Sequence, residues 1–332
     1  MNHTAAPVDK EKASLWLYIV YIFQGIAIAV PNLLVVSATV YHRALRRRKQ
    51  YIIISGKALG DAVAGVAYSL GGLYYTYLIL MEQHQLQTPL WKCLIGIHQL
   101  FYSFSFPMLC WMELVVSIDR LIAVGWPLKY YKQKKRYGLT LVGAVFVPSV
   151  LMAFPAPLLW AWFSGHLSQP VAVQCRPGPT QRAAGPLFNR WYGTFTFYTL
   201  TAALLIYIPI VMIYKRTADN KSAGDAQEQN RKRERTLTKS LMISAAASVF
   251  MFIIPLWLGL QLLAAKRGTE ATLLFVFGNN DWIINALVLF KRQPELRKGV
   301  RAMLRGHRLP PTLEMWQEDS KVGVEPNNQD KK

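Results

Sequence analysis

An adjacent acid and base, Asp119-Arg120, end a mostly apolar stretch that begins at Met108. A charged side chain costs much less free energy at the end of a membrane helix than at its middle. Pro127 and the basic run 132–136 follow shortly afterwards. The pattern therefore predicts a membrane helix that reaches the water interface, presents an arginine held beside an aspartate, and is followed by a turn.

Other ionisable side chains lie deep inside apolar segments. Lys57 and Asp61 are one helical turn apart on the same face, and Glu113 lies about two turns before Arg120. The first apolar segment adds Asn32, and the last adds Asn279, Asp281 and Asn285. Buried charges of this kind face the interior of a bundle and are functional-site candidates, although polar contacts between helices are the alternative explanation.

The sequence contains no phosphate-binding glycine loop, no zinc-ligand spacing and no nucleophile elbow. We therefore expect neither an enzyme nor a protein that holds a metal ion or a cofactor.

Composition places these residues in a membrane protein. The chain is 52% hydrophobic but has a formal net charge of +20, and the charges are confined to short runs between long apolar segments. That arrangement is typical of membrane proteins rather than of soluble nucleic-acid-binding proteins. An open sheet would leave backbone groups unpaired in lipid, so the spans must be helices. We predict an all-α membrane protein, a seven-transmembrane helix bundle with helices near 15–40, 52–80, 94–122, 139–163, 191–214, 239–264 and 271–291.

Lysine and arginine concentrate on one side of the predicted bundle, in the segments 42–49, 129–136, 215–239 and 291–308. The positive-inside rule then places the N-terminal segment 1–14 outside and the C-terminus in the cytoplasm. An odd number of spans agrees with this orientation. We take 15–291 as the membrane domain.

The segment 292–308 follows the last span. Pro294 is suited to a helix start, and Leu296, Val300 and Leu304 recur at a spacing of one turn. The spacing predicts a C-terminal amphipathic helix on the surface of the inner leaflet, in contact with membrane lipids. A disordered basic tail is the alternative. The polar segment 309–332 is predicted to be disordered.

Several of these residues together resemble the signatures of one family. Asp119-Arg120-Leu121 with Pro127 resembles the "DRY…P" motif of rhodopsin-like (class A) G-protein-coupled receptors. Asn32 and Asp61 resemble the family's "GN…LAxxD" pair, and the run that begins at Asn285 stands where the family has "NPxxY". The resemblance implies a multi-pass plasma-membrane receptor that activates a heterotrimeric G protein, with Arg120 as the cytoplasmic switch residue.

Within that family, the run from Ile118 to Tyr130 is similar to that of the nematode Srsx-like serpentine chemoreceptors, and the resemblance covers roughly 15–305. Ala286 and Leu289 replace the proline and tyrosine of the last motif, as in a divergent chemosensory receptor. The ligand implied is a small-molecule cue from outside the cell. A neuropeptide ligand remains the alternative, and an ion-coupled transporter is disfavoured because the sequence shows no internal hydropathy repeat.

The family alignment implies further pairings. It places Lys57 opposite Glu113 between the second and third helices, so we hypothesise an ion pair that neutralises a polar cluster with Asp61 and Asp281. Extension of Lys57 to the interface is the competing possibility. It also implies a disulfide between Cys93 and Cys175 on the outer side.

The first residues carry one further motif. Asn2 begins a glycosylation sequon on the side predicted to be extracellular.

The resemblance further implies a ligand pocket that opens outward between the third, fifth, sixth and seventh helices. Its predicted lining is mostly aromatic with a few polar groups, as is normal for a small-molecule site: His98, Tyr102, Ser103, Phe106, Trp257, Gln261, Phe275 and Asn279. Packing or lipid contact is the alternative role for these aromatic residues.

Two absences in the sequence restrict the ligand. The segment 94–107 contains no carboxylate, which argues against a cationic amine ligand. The segment 271–290 contains no lysine for a retinal Schiff base.

The basic cluster 231–235 lies on a predicted membrane loop, so we assign it to lipid and G-protein contact rather than to nucleic acid.

Overall fold

A computed structural model describes residues 15–176, 180, 183–218, 243, 247–264 and 268–309 of this chain. The described residues are almost entirely helical, apart from one short two-stranded sheet. Asn2, the loop 219–242 and the tail 310–332 lie outside the described residues, so the sequon, the third basic loop and the predicted disordered tail receive no structural account.

The helices follow one another with short connections. In chain order they are α1 (Leu15–Tyr41), α2 (Arg43–Arg46), α3 (Lys49–Leu80), α4 (Leu90–Leu94), α5 (Ile97–Gly125), α6 (Pro127–Lys132), α7 (Lys135–Ala153), α8 (Pro155–Phe163), α9 (Pro186–Ala218), α10 (Ile254–Ala264), α11 (Gly268–Gly278), α12 (Asn280–Arg292) and α13 (Pro294–Leu304). A π-helical turn, Val249–Ile253, leads into α10.

Length and composition identify membrane spans among these helices. Four described segments are long and apolar enough to cross a bilayer: Leu15–Tyr41, Lys49–Leu80, Lys135–Phe163 and Leu273–Arg292. A shorter apolar stretch, Tyr198–Ile213, lies within α9. Helix α5 has 29 residues and is therefore long enough to cross a bilayer. It is less apolar than the four segments above, because it contains Glu113, Asp119 and Arg120.

Two predicted spans are broken where the sequence suggested continuous helices. The fourth span changes from α7 to α8 at Phe154, directly before Pro155. Proline has no N–H to donate and suits the first turn of a new helix, which explains the position of this break. The seventh span changes from α11 to α12 at Asn279. The beginning of the predicted sixth span, 239–246, is almost wholly outside the described residues.

The bundle packs around α3 and α5. A Cβ atom on Gly65 of α3 would come within 2.6 Å of the backbone nitrogen of Ala29, so only glycine permits α1 to approach this closely. The largest apolar cluster joins α1, α3, α5, α7 and α12 and includes Val35, Ile54, Met108, Met112, Val116, Val145 and Leu289. This core holds the polar side chains of the same helices in fixed positions.

The two ends of the bundle differ in their construction. At one, which we call the disulfide end because Cys93 and Cys175 are bonded there, β1 (Gln87–Pro89) pairs antiparallel with β2 (Pro170–Ala172), with Thr88 opposite Val171. At the other, which we call the basic end, lie α2, α6 and α13. The two ends of the bundle therefore differ, because a two-stranded sheet covers one of them and many cationic side chains lie at the other.

The C-terminal helix α13 is held against the bundle by specific contacts. The ring of His42 is buried; its Nε2 atom donates to the carbonyl of Gly299 (2.8 Å), and its Nδ1 atom accepts from the N–H of Leu309 (3.2 Å). Leu296 and Val300 are buried, whereas Leu304 is 68% exposed. The apolar stripe that the spacing assigned to lipid thus packs largely onto the protein.

Candidate functional site

At the basic end, Arg120 is buried and engaged on two sides. Its guanidinium forms an ion pair with Asp119, with Nε 3.0 Å from Oδ2, and Nη2 donates to the hydroxyl of Tyr130 at 2.6 Å. Tyr130 in turn donates to Asp119 Oδ2 at 3.3 Å. The arginine is only 1% exposed, so its donors are directed into the protein rather than toward the interface. We call Asp119, Arg120 and Tyr130 the arginine lock.

The short helix α6 positions Tyr130. Trp126 is the N-cap residue and Pro127 occupies the first turn, so the chain reverses directly after α5 and brings Tyr130 back beneath Arg120. Lys49 at the start of α3 donates to the backbone carbonyl of Tyr130 and lies 3.4 Å from the centre of its ring. Neither Tyr130 nor Lys49 was among the residues that the sequence singled out. The signal that could have identified Tyr130 is its position three residues after Pro127, one turn into a new helix.

In the middle of the bundle, Lys57 of α3 forms an ion pair with Glu113 of α5. Both side chains are buried. Lys57 also interacts electrostatically with Asp61 and Asp281. One cation thus serves three carboxyl groups, and we call these four residues the charged cluster. The side chain of Lys57 points to Glu113 and not to the interface.

The seventh span supplies hydrogen bonds to this cluster. Asp281 Oδ2 accepts from Ser248 Oγ (2.8 Å) and from Asn285 Nδ2 (3.1 Å), and all three residues are buried. Ser248 was absent from the sequence-based set. Its position one residue before the π-helical turn brings the sixth span into the cluster.

Asn32 of α1 is buried, as is Asp61 of the charged cluster. Asn32 Nδ2 donates to the carbonyl of Ile28 within its own helix (2.9 Å). Within the described part of the chain, Oδ1 of Asn32, Oδ1 of Asp61 and Oδ1 of Asp281 have no hydrogen-bond donor. Buried acceptors without donors are costly, so the charged cluster is an incompletely satisfied polar site in an apolar surrounding.

At the disulfide end, Cys93 and Cys175 form a disulfide, which confirms the predicted pairing. The bond joins α4 to the loop that follows β2 and holds that loop against the end of α5. His98 lies against the backbone of Gln174 and Cys175. Cys110, the remaining cysteine, is buried within α5 with a free thiol.

The predicted ligand-pocket residues are distributed over several environments. Tyr102 packs between Phe106 of α5 and Tyr68 of α3, and Tyr68 donates to Asn279 Oδ1 at 3.3 Å. His98 stacks on Tyr74 of α3, and Ser103 accepts from Gln99 at 3.3 Å. These contacts gather the α5 residues and Asn279 toward α3, whereas the sequence-based pocket lay among the third, fifth, sixth and seventh helices.

The remaining pocket residues do not share that environment. Trp257 is 52% exposed and Gln261 is also exposed, while Phe275 is half-buried. The aromatic packing at this end instead continues from Tyr68 to Tyr21 and Trp282, which belong to α1 and α12. Arg176 from the disulfide-bonded loop donates to Tyr18 at 2.5 Å. The structure thus places an aromatic, hydrogen-bonding cluster among α1, α3, α5 and α12, beneath that loop.

Chemically, the described residues of this arrangement hold ion pairs that can be broken and formed again, but they contain no catalytic centre. Over the residues that the structure describes, no group of histidine, cysteine, aspartate and glutamate could hold a metal ion. The two features suited to a switch are the charged cluster in the middle and the arginine lock at the basic end. Helix α5 contributes Glu113 to the first and Asp119 with Arg120 to the second.

Comparison with known proteins gives a consistent result. Residues 31–275 match the family model described as 7 transmembrane receptor (rhodopsin family). Similar proteins include rhodopsin of Petromyzon marinus, 28% identical over 70% of this chain and 64% of that protein, and green-sensitive opsin-2 of Carassius auratus, 25% identical over 68% and 62%. Dopamine receptor 3 of Caenorhabditis elegans is 22% identical over 64% of this chain and 32% of that protein. The chain thus spans less than two thirds of the length of these relatives.

Proposed function

This chain belongs to the rhodopsin family of seven-transmembrane receptors, and from that premise we propose that it binds an extracellular ligand and activates a heterotrimeric G protein. In this proposal the disulfide end faces the outside of the plasma membrane and the basic end faces the cytosol. The concentration of arginine and lysine around α2, α6 and α13 supports that orientation. Members of this family are receptors rather than enzymes.

The observation that carries the proposal is the arginine lock. A G protein can engage Arg120 only if the guanidinium leaves Asp119 and Tyr130, so the described conformation corresponds to a resting receptor. A ligand that favours an arrangement in which these bonds are broken would shift the population toward the active state. Along α5, Glu113 of the charged cluster lies between Tyr102 of the outer aromatic cluster and Arg120 of the lock, so a movement of α5 would alter both the charged cluster and the lock.

We assign the ligand to the class of small-molecule chemosensory cues. The aromatic cluster beneath the disulfide-bonded loop, with Tyr68, Tyr102 and Asn279 supplying polar groups, supports a small and mainly apolar ligand. Although similar proteins are named rhodopsin and dopamine receptor, the segment 271–290 has no lysine for retinal and 94–107 has no acid for an amine. We therefore propose neither of those ligands here.

Replacing Tyr130 with phenylalanine tests this function. The change removes the hydroxyl that accepts from Arg120 and donates to Asp119, and hydrogen bonds to charged groups contribute about 1.5–3 kcal/mol. We expect basal nucleotide exchange on a promiscuous G protein to rise about tenfold, because the resting state loses that stabilisation. The assay uses the full chain in cell membranes, with receptor amounts matched by surface labelling.

The matched control is Tyr131→Phe, a neighbouring tyrosine that is 43% exposed. Its basal exchange should equal that of the unsubstituted chain. Equal basal exchange in Tyr130→Phe and Tyr131→Phe, at equal surface amounts, would contradict a resting role for the arginine lock.

A further inference from the structure

A crevice of about 710 Å³ opens at the basic end between α1, α3 and α7. Its inner wall is mostly apolar and is formed by Val36, Val40, Ile52, Leu59, Leu139 and Val142. Its rim carries four cations, Arg43, Arg46, Arg47 and Lys135. We call it the rim crevice. It is separate from the arginine lock and from the charged cluster.

The rim cations are not neutralised by the protein that surrounds them. All four are exposed, and within the described ranges none of them forms a salt bridge. Arg46 makes a single long contact, 3.5 Å from Nη1 to the carbonyl of Val40. By contrast, the neighbouring Arg48 is paired with Glu295 of α13 at 2.9 Å. Four cations converging without an acid form a site for an anion.

The position of the rim crevice selects the kind of anion. Val40 is 58% exposed and Leu139 is 54% exposed, and both belong to membrane-spanning helices, so the apolar wall opens toward the hydrocarbon of the bilayer. Arg43, Arg46 and Arg47 lie in the connection between α1 and α3, and Lys135 is the first residue of α7. Because these positions are at the ends of the membrane-spanning helices, we place the four cations at the level of the lipid headgroups. We propose that the rim crevice binds one anionic glycerophospholipid, with its phosphates on the arginines and lysine and an acyl chain along the apolar wall.

A soluble polyanion would satisfy only half of this site. It could pair with the rim cations, but it would leave the apolar wall uncovered. A lipid covers both, because its charged head and its acyl chain are separated along the membrane normal as the rim and the wall are. This two-part match is the reason for preferring lipid over a free phosphate compound.

The test measures lipid retention by the full chain with native mass spectrometry, after purification in detergent with added phosphatidylcholine, phosphatidylserine or phosphatidylinositol bisphosphate. We expect one tightly held anionic lipid and none of the zwitterionic lipid. Each cation near an anionic lipid surface contributes about a fivefold factor in affinity. The triple variant Arg43→Gln, Arg46→Gln, Arg47→Gln should therefore weaken the bound anionic lipid at least tenfold.

A matched triple variant removes the same charge from the same end of the bundle without touching the crevice. Arg297, Arg301 and Arg305 are exposed on or directly after α13, and their replacement by glutamine should change the affinity less than threefold. Equal losses in the two triple variants would show only diffuse attraction and would overturn the proposal.

A second variant tests the apolar half of the site while leaving its charge unchanged. Leu139→Trp fills the wall, so it should reduce retention of the intact lipid at least fivefold but leave the weak binding of soluble inositol trisphosphate unchanged. Undiminished lipid retention in this variant would show that the acyl chain does not lie along the wall. Soluble headgroup binding as tight as that of the lipid would identify a soluble anion as the ligand. Either result would contradict the assignment.

Discussion

Replacing Lys57 with methionine is expected to lower the free energy of unfolding of the receptor by about 3–5 kcal/mol, because it leaves buried carboxylates without a cation. Lys57 and Glu113 are both buried and paired with each other, and Lys57 also interacts with Asp61 and Asp281. The cluster therefore depends on a single positive charge. The measurement is the midpoint of thermal unfolding of the purified full chain, together with its amount at the cell surface.

The partner substitution sharpens this prediction. Glu113→Met removes one of three acids and leaves Lys57 beside Asp61 and Asp281, so it should lower the unfolding midpoint less than Lys57→Met does. The double variant should recover part of the loss of Lys57→Met, because Glu113 no longer remains as an unpaired charge. Lys92→Met, at an exposed cation of α4, is the control and should leave the midpoint unchanged. A Lys57→Met protein as stable as the original would show that the pair has no structural role.

Removing the disulfide is expected to produce an effect of similar size. The cysteines are separated by 82 residues, and a crosslink closing a loop of this length stabilises a fold by about 3–5 kcal/mol in the chain-entropy model. Cys175 also has a backbone φ of 49°, in the left-handed region that non-glycine residues seldom adopt. Because Cys93→Ser removes this crosslink, it should lower the unfolding midpoint. It should also release the loop around Cys175, which lies over His98.

A reducing agent gives the internal check on this result. It should lower the midpoint of the original chain to that of Cys93→Ser and should leave Cys93→Ser unaffected. Cys110→Ala is the matched control, because Cys110 is buried with a free thiol and its loss removes only a small side chain. A midpoint that neither reduction nor Cys93→Ser changes would contradict a stabilising role for the bridge.

Hydropathy alone predicted most of the fold. The all-α seven-helix bundle is confirmed. Hydropathy could predict it because a helix satisfies the backbone groups of each long apolar segment within that segment. The rhodopsin-family resemblance, carried by Asp119-Arg120 and Asn32 with Asp61, is also confirmed. The particular likeness to nematode chemoreceptors remains a prediction. The break at Phe154 was missed although Pro155 marks it, because membrane helices also accept proline without ending.

The functional residues were predicted unevenly, for a physical reason. Buried charges such as Lys57 and Glu113 are conspicuous in an apolar sequence, so they were identified as candidates before the structure brought them together. Tyr130 and Ser248 are ordinary in composition, and only the packing of α6 and of the sixth span gives them partners. Trp257 is 52% exposed, and its place in a ligand pocket stays a prediction, because an aromatic residue in a span can face a pocket or the lipid.

We propose that the arginine lock faces the cytosol while the disulfide end faces outside, so that a signal passes between them along α5. Short epitope tags at the N-terminus and at the C-terminus, read with antibodies on cells expressing the full chain, test this most directly. We predict that intact cells show only the N-terminal tag and that the C-terminal tag appears after permeabilisation. Detection of both tags, or of the C-terminal tag alone, on intact cells would contradict the account.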